Sequence, residues 1–341
     1  MSLSGSIAKA VIKNSNPEQE WRLILKQAWR KPAELLDYLQ LDPDLLKHIP
    51  KIKQQFPLLA PSVFVESMEK GNPDDPLFLQ IFPHTTEKSR RQDLLRDPVG
   101  DLASHASPGL LHKYRTRALI ITTGACAIHC RYCFRQHFPY SRATGGRSDW
   151  QQSLQYLTAN PQINEVILSG GDPLMLATRQ LQSISDSLAE LPQIKTLRIH
   201  TRMASCLPER INSSLLHWLS SLSLRSIVVH HINHPNEINS AAKLAFTRLQ
   251  DCTQLQLNQS VLLKGVNNKT EVLATLSENL FVNNIIPYYL HQMDLVESAG
   301  HFVCDDLEAR ELFRQLAAKL PGYLLPRLVR EVQGEAGKTL L

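Results

Sequence analysis

Residues 118–137 read ALIITTGACAIHCRYCFRQH, and the reading of the fold starts there. Residues 118–125 are a short apolar run rich in β-branched side chains, which predicts a buried strand. Cys126, Cys130 and Cys133 follow at once in C-x3-C-x2-C spacing. Three thiolates so close together share one loop and can face one metal centre. A structural zinc usually takes four ligands, as paired CxxC or as CxxC with two histidines. An iron–sulfur cluster of four irons is ordinarily held by four thiolates. Three leave one iron with an open position, where chemistry can occur. His129 and His137 are near enough in sequence to supply a fourth ligand, which keeps a zinc reading open. The strand ahead of the loop favours iron. So do Tyr132 and Phe134, aromatic bulk beside Cys133 that can shield a cluster.

Working outward, the chain has 341 residues, 43% of them hydrophobic and 20% charged, within the range of a globular protein. Its formal net charge of +5 is mild, and basic residues such as Arg131, Arg135, Arg142 and Arg147 are scattered. Such a surface does not predict direct nucleic-acid binding. A basic rim near the cysteines suits the carboxylates and phosphates of small ligands. MSLSGSIAKA lacks the apolar core of a secretion signal, and no run of about 18 apolar residues suggests a membrane span. The expectation is a cytoplasmic protein with reduced thiols. Cys206, Cys252 and Cys304 then read as packing residues.

Residues 1–110 look like an N-terminal helical region. Apolar residues recur at helical steps over Trp21–Trp29, Ala33–Leu41 and Leu45–Phe56, and PLFLQIFPHTTEK (76–88) reads as a strand or loop. From Ala118 the rhythm alternates. Strands are predicted at Leu119–Thr123, Glu165–Ser169, Thr196–Thr201, Ser226–His231, Leu257–Leu263 and Ile285–Leu290. Helices are predicted at Asp149–Asn160, Leu174–Leu191, Pro208–Ser221, Asn236–Asp251 and Lys269–Asn279. Six such units imply a parallel sheet with right-handed crossovers. The expected fold class is α/β, a partial (βα)6 TIM-like barrel over residues 111–295, with a short C-terminal segment over 296–341.

In such a barrel the functional groups lie at the C-terminal ends of the strands, and each motif follows one. Ser169-Gly170-Gly171-Asp172-Pro173 comes after the second strand; paired glycines allow close backbone approach, and Asp172 can receive an amine. Arg202 ends the third strand and can pair with a carboxylate. His230-His231-Ile232-Asn233-His234-Pro235-Asn236-Glu237 ends the fourth. The fifth holds Leu257-Asn258-Gln259, and the sixth runs into Met293-Asp294-Leu295. The chain closes on Arg330-Glu331-Val332-Gln333-Gly334-Glu335-Ala336-Gly337-Lys338-Thr339.

The cysteine loop after a first barrel strand resembles the radical S-adenosylmethionine (SAM) superfamily. The later segments, from the fourth strand to Lys338, resemble one branch of it, the lysine 2,3-aminomutases, over roughly Tyr114 to Thr339. The resemblance implies a [4Fe–4S] cluster on Cys126, Cys130 and Cys133, with SAM on its open iron. It places SAM against Gly170, Gly171, Asp172, Arg202 and His231, with Asp172 near its amino group and Arg202 near its carboxylate. It implies that Lys338 is the catalytic lysine that forms a Schiff base with pyridoxal 5′-phosphate (PLP), with Arg117 and Gln259 also contacting PLP or its surroundings. Arg135 would grip the carboxylate of L-lysine, and Asp294 with Glu331 its ε-ammonium. A radical derived from SAM would take a hydrogen from carbon 3, and the amino group would migrate to give β-lysine.

Two departures refine the resemblance. The free-lysine enzymes have aspartate where Glu331 stands, and a run of glycines where this chain has Gln333–Gly337; they also extend well past the lysine. These features resemble the branch that works in translation. There (R)-β-lysine passes to a ligase that attaches it to elongation factor P. A cellular reductant such as flavodoxin and a homo-oligomeric state are implied by the same likeness. A free-lysine aminomutase serving catabolism or osmolyte synthesis is the nearest alternative. A glutamate or arginine aminomutase would lack the acid pair. A structural metal-binding module would leave Lys338, Gln259 and the GGD segment without a role.

Overall fold

Apolar, β-branched runs recur through the chain after residue 104, and each becomes a strand. The computed structural model describes residues 16–49, 56–84, 87, 92–143 and 147–341. Its strands are β1 (His105–Ser107), β2 (Leu110–Tyr114), β3 (Arg117–Thr123), β4 (Glu165–Gly170), β5 (Thr196–Thr201), β6 (Arg225–His230), β7 (Leu255–Leu262), β8 (Ile286–Gln292), β9 (Arg327–Arg330) and β10 (Thr339–Leu340). They form one sheet in chain order. β3 to β9 are parallel neighbours. β1, β2 and β10 add antiparallel edges.

Parallel neighbours need crossovers, and the helices supply them. α1 (Pro17–Lys26) and α2 (Pro32–Leu39) precede the sheet. α3 (Arg147–Ala159), α4 (Thr178–Ala189), α5 (Ser213–Ser221), α6 (Ser240–Gln250), α7 (Thr270–Val282) and α8 (Asp306–Lys319) then alternate with the strands from β3 to β9. Their starts are written locally. The Asn239 side chain accepts the Ala242 N–H at 2.9 Å ahead of α6, and Asp305 accepts the Glu308 N–H at 2.8 Å ahead of α8. Each such cap contributes about 1 kcal/mol.

Burial follows the layers. In β4 every residue after Glu165 is buried, as for a strand covered on both faces. β5 alternates: Leu197, Ile199 and Thr201 are buried, while Arg198 and His200 line a cavity. One core cluster joins Trp21, Leu35, Leu36 and Phe64 of the N-terminal region to Val166, Leu168, Leu197 and Ile199 of the sheet. A second packs Leu262, Leu290 and Leu328 of β7–β9 against Leu273 of α7 and Leu316 of α8. The N-terminal region therefore shares the core of the first half of the sheet.

The α/β class and the six expected strands are present, with bounds shifted by a residue or two. The parallel run continues one strand further, into β9, and α8 was not anticipated. Residues 76–79 form a helical turn rather than a strand or loop, because Asp75 Oδ1 accepts the N–H groups of Leu77 and Phe78 at 2.8 and 2.9 Å. Proline delays three helices. Pro173–Met175, Pro208–Arg210 and Pro235–Glu237 are 3-10 turns, and α4, α5 and α6 begin only at Thr178, Ser213 and Ser240. Within the segment expected to be helical over 45–56, Pro43–His48 is a 3-10 helix and residues 50–55 lie outside the described residues. Among the described residues no helix is long and apolar enough to cross a membrane.

Candidate active site

The strands curve around a cavity of about 290 Å³ whose wall includes all three loop cysteines, Arg135, Asp172, Arg202, His231, Gln259, Asp294, Glu331 and Lys338. Arg117, Gly170 and Gly171 line it as well. The sheet thus brings together residues spread over more than 200 positions of sequence.

At one end, the cysteine loop leaves β3 and is pinned on both sides. The N–H groups of Gly171 and Asp172 donate to the carbonyls of Thr123 and Ala125 at 2.7 and 2.8 Å. The packing requires glycine: Gly170 sits at φ +123°, where a Cβ would lie 2.5 Å from the Thr123 carbonyl oxygen, and a Cβ on Gly171 would collide with the Ala125 carbonyl oxygen. On the other side, His129 N–H donates to the Leu59 carbonyl and Arg131 N–H to that of Gln80, at 2.9 and 2.8 Å. The Arg131 side chain bridges to Glu87 (2.5 and 2.7 Å) and to the Phe56 carbonyl (2.6 Å). The N-terminal region is therefore the outer mould of the loop.

The candidate fourth ligands are elsewhere. His129 Nδ1 lies 2.7 Å from the Pro57 carbonyl oxygen and its ring stacks on Phe56, while His137 faces Glu297 at 3.9 Å. In the histidine-rich segment, His230 bonds Gln256 (2.9 Å), His231 Nε2 meets the Tyr132 hydroxyl (2.9 Å), and His234 Nδ1 accepts the Asn236 N–H (3.2 Å). Among the described residues no three Cys, His, Asp or Glu side chains close around a point that a single ion fills. The thiols are free. Burial pushes Cys126 well up and Cys133 up to about 12, with the other loop thiols repelling in the same sense.

Asp172 is not left open for a ligand. Its carboxylate accepts both the Thr201 hydroxyl (2.9 Å to each oxygen) and the N–H groups of Arg202 (2.8 Å) and Leu174 (3.0 Å). Burial pushes it up to about 6. Arg202 is likewise committed. Its NH1 donates to Cys130 Sγ (2.7 Å) and to Tyr132 Oη (2.8 Å), and its NH2 to Gln80 Oε1 (2.7 Å) and Glu237 Oε2 (2.9 Å). The carboxylate expected beside it in sequence terms is supplied from within the chain, by Glu237; Nε alone is without a partner.

At the other end, a hairpin sets the register. Thr339 of β10 pairs with Arg330 of β9, so the next residues out, Lys338 and Glu331, face each other. Lys338 Nζ donates to Glu331 Oε2 at 2.5 Å, and Tyr114 Oη to Glu331 Oε1 at 2.6 Å. Lys113 Nζ lies 3.8 Å from Glu331 and 2.7 Å from Asp101. Asp101 also accepts Arg135 Nε at 2.7 Å, and Arg135 NH1 reaches the Ser169 hydroxyl at 3.1 Å. These cations hold Asp101 and Glu331 below the usual carboxylate range, although burial opposes them. Asp294 differs. No hydrogen bond to its carboxylate is present among the described residues, and burial pushes it up to about 7 against the pull of Lys338. Arg117 lies over the Tyr114 ring at 4.5 Å, and Gln259 Nε2 stands 3.3 Å from His200 Nδ1. His200 Nε2 and Arg198 Nε are buried without partners.

Asp101, Lys113, Tyr114 and Gln80 carry no local motif and were not singled out from sequence. Glu237 was visible only as the last letter of the histidine-rich segment.

Comparison with known proteins places this geometry. Residues 115–207 match the model of a 4Fe-4S single cluster domain. An L-lysine 2,3-aminomutase from Haemophilus influenzae is 43% identical over 95% of this chain and 96% of its own length. The chain belongs to the L-lysine 2,3-aminomutase family. A second member, the L-lysine 2,3-aminomutase of Escherichia coli, is 41% identical over 98% of both chains. Among solved structures, a radical SAM methyltransferase from Sphaerobacter thermophilus aligns over 65% of this chain and 68% of its own at 13% identity and a TM-score of 0.46, too loose a likeness to argue from. As a member of this family the protein is a radical SAM isomerase, and the family's cofactors are a [4Fe–4S] cluster, SAM and PLP. The residues fit them. Three half-buried free thiols share one loop, while the Lys338 end offers a primary amine and two unpartnered buried nitrogens, His200 Nε2 and Arg198 Nε.

Proposed function

We propose that the protein converts L-α-lysine to (R)-β-lysine, moving the amino group from carbon 2 to carbon 3 of one substrate molecule. The observation that carries this reading is the single cavity lined by the cysteine loop, by Lys338, by Arg135 and by the unpartnered Asp294. A substrate with a carboxylate, an α-amine and a distal ammonium matches that set. Relatives over 40% identical across nearly the whole chain bear the same name.

Each residue then has a task. Cys126, Cys130 and Cys133 hold the cluster. Gly170, Gly171, Asp172, Arg202 and His231 form the SAM pocket beside it; Asp172 acts there by fixing the turn, since Thr201 and two backbone N–H groups already engage its oxygens. Lys338 anchors PLP, with Arg117 and Gln259 alongside. When bound, these cofactors supply a carbon radical and a π-system that lets nitrogen migrate. Arg135, its guanidinium fixed by Asp101 and Ser169, presents its remaining edge to the substrate carboxylate, where a planar fork binds two oxygens at once. Asp294 and Glu331 receive the ε-ammonium. Burial of the cavity keeps water from competing for these contacts.

The replacement of aspartate by Glu331 and the sequence Gln333–Gly337 support a finer proposal. The product passes to a β-lysine ligase that modifies elongation factor P. A flavodoxin-type reductant, a cytoplasmic location and a homo-oligomer belong to the same proposal. So does a division of the chain near residues 110 and 295.

The test is an anaerobic assay of reconstituted protein with PLP, SAM, a reductant and L-lysine, with β-lysine read by mass spectrometry. SAM cleavage without β-lysine refutes the substrate; neither product, at full cluster and PLP loading, refutes the aminomutase reading. Co-expression with elongation factor P and its ligase tests the finer proposal through the mass of the factor.

A further inference from the structure

Arg202 is buried, and its four terminal N–H contacts form a clamp. Glu237 Oε2 and Gln80 Oε1 hold NH2 at 2.9 and 2.7 Å, while NH1 is aimed at Cys130 Sγ, with Tyr132 Oη beside it, at 2.7 and 2.8 Å. Glu237 is itself immobilised. Its Oε1 accepts the N–H groups of Asn233 and His234 at 2.9 and 3.1 Å and the Gln80 amide at 3.3 Å. Asn233 in turn donates to Tyr132 Oη at 2.7 Å and accepts the Val261 N–H at 2.9 Å. The Asn233–Glu237 stretch is thereby committed to the chain's own groups. It is the frame that points one guanidinium at one loop sulfur.

We propose that Arg202 is a positioning residue of the cluster: clamped by Glu237 and Gln80, it donates to the Cys130 thiolate and sets the cluster's reduction potential. Hydrogen bonds to cluster sulfurs, net charge and burial are what set such potentials. The reduced cluster carries one more negative charge, so a donor and a cation favour it. Glu237 cancels the cation while leaving the directed hydrogen bond. The two partners therefore act with opposite sign. Glu237→Gln leaves Arg202 uncompensated and favours the reduced cluster. Arg202→Gln removes the cation and the strong donor, leaves Glu237 buried beside the cluster, and favours the oxidised form. A purely structural role moves both variants in the same direction, because both loosen the same clamp.

The experiment is a redox titration of the full-length, cluster-reconstituted chain without SAM or lysine. One electron passes from dithionite to the cluster, and the reduced form is read by electron paramagnetic resonance. At a fixed applied potential the reduced-to-oxidised ratio is expected to rise about tenfold in Glu237→Gln and to fall about tenfold in Arg202→Gln, each equivalent to about 59 mV for a one-electron couple. Shifts of the same sign, or both ratios within twofold of wild type, overturn the proposal. Should Arg202→Gln fail to take up iron, Arg202→Lys replaces it: a single ammonium cannot bridge Cys130 and Glu237, and the ratio falls several-fold, whereas an unchanged ratio overturns the proposal. No substrate is present, so a wrong substrate in the aminomutase reading leaves this result untouched.

Discussion

The two ends of the cavity handle charge differently. At the cluster end the buried charges Arg202, Arg131 and Asp172 have partners from the chain itself: Arg202 has Glu237, Arg131 has Glu87, and Asp172 has Thr201 and backbone N–H groups. At the Lys338 end the chain is alternately charged, Lys338 to Glu331 to Lys113 to Asp101 to Arg135, and one acid, Asp294, is left over. Even a half-buried carboxylate without a partner is costly. The first end is built to hold a shape; the second keeps a carboxylate that none of the chain's described donors engages, as the proposed lysine ε-ammonium site requires.

The sharpest break between the ends is expected from removing their anchors. Lys338→Ala should abolish covalent PLP, read by borohydride reduction and mass, and lower activity by at least about 10³-fold, the scale of losing a group that acts covalently. Iron content should be unchanged. Covalent PLP that survives on another lysine, such as Lys264, removes Lys338 from its role. Cys130→Ala should do the reverse, losing iron while keeping PLP. If either variant loses both cofactors, the ends are one cooperative unit and the contrast between them fails.

Asp294→Asn should come next. Leaving a substrate ammonium without its buried acid costs about 1.5–3 kcal/mol, or roughly a 10–100-fold rise in KM for lysine, with SAM cleavage far less affected. An unchanged KM takes Asp294 out of the substrate site. The pH dependence has a defined sign. Burial raises the Asp294 carboxyl from an ordinary 3.8 to about 7. The ammonium needs the ionised form, so KM should rise as pH falls through about 7 in wild type and not in Asp294→Asn. The lysine-free fold binds a proton at Asp294 over the interval in which the unfolded chain has lost it. Its stability should therefore grow as pH falls from about 7 toward 4. Asn carries no such proton, so the melting-temperature gain of Asp294→Asn over wild type should be largest above pH 7 and shrink below it.

What was legible in the sequence follows the same division. β3 and the cysteines are contiguous, so strand, loop and ligands are read from one stretch. Gly170 and Gly171 were legible as a close backbone approach, but the neighbour expected there was a ligand, and the atoms that leave no room for a Cβ are the carbonyls of Thr123 and Ala125. The clamp behind the loop was not. Gln80 meets Arg202 across 122 residues and Glu237 across 157, and nothing local to a glutamine announces such partners. Asp101 lies before the sheet's parallel run and joins the cavity's charge chain only because β2 returns antiparallel along β3, placing Lys113 beside it. The helical turn at Pro76–Leu79 was misread because its apolar residues show no period over four positions; the Asp75 cap decides it. Arg202 was legible as a strand-end cation able to pair with a carboxylate, but its burial and its partner Glu237 depend on the frame made by the Asn233–Glu237 loop.

The smallest expected effects test whether the two acids are equivalent. Glu331 already accepts Tyr114 at 2.6 Å and Lys338 at 2.5 Å, whereas Asp294 accepts nothing among the described residues. An ammonium arriving at Glu331 must share it with the chain's own donors, while one arriving at Asp294 meets a free carboxylate. Glu331→Gln should therefore raise KM for lysine only a few-fold, less than Asp294→Asn. Its clearer signature should be in PLP retention, because Lys338 loses the acid that holds it. Tyr114→Phe removes one neutral-to-charged hydrogen bond onto Glu331, about 1.5–3 kcal/mol at most. Part of that is recovered because Lys338 and Lys113 remain beside the acid, so a two- to five-fold change in PLP retention is expected, with KM for lysine near wild type. If instead Glu331→Gln raises KM more than Asp294→Asn, the substrate displaces Lys338 from Glu331. The hairpin pair would then be the specificity element, and the unmet charge at Asp294 would serve another part of the reaction.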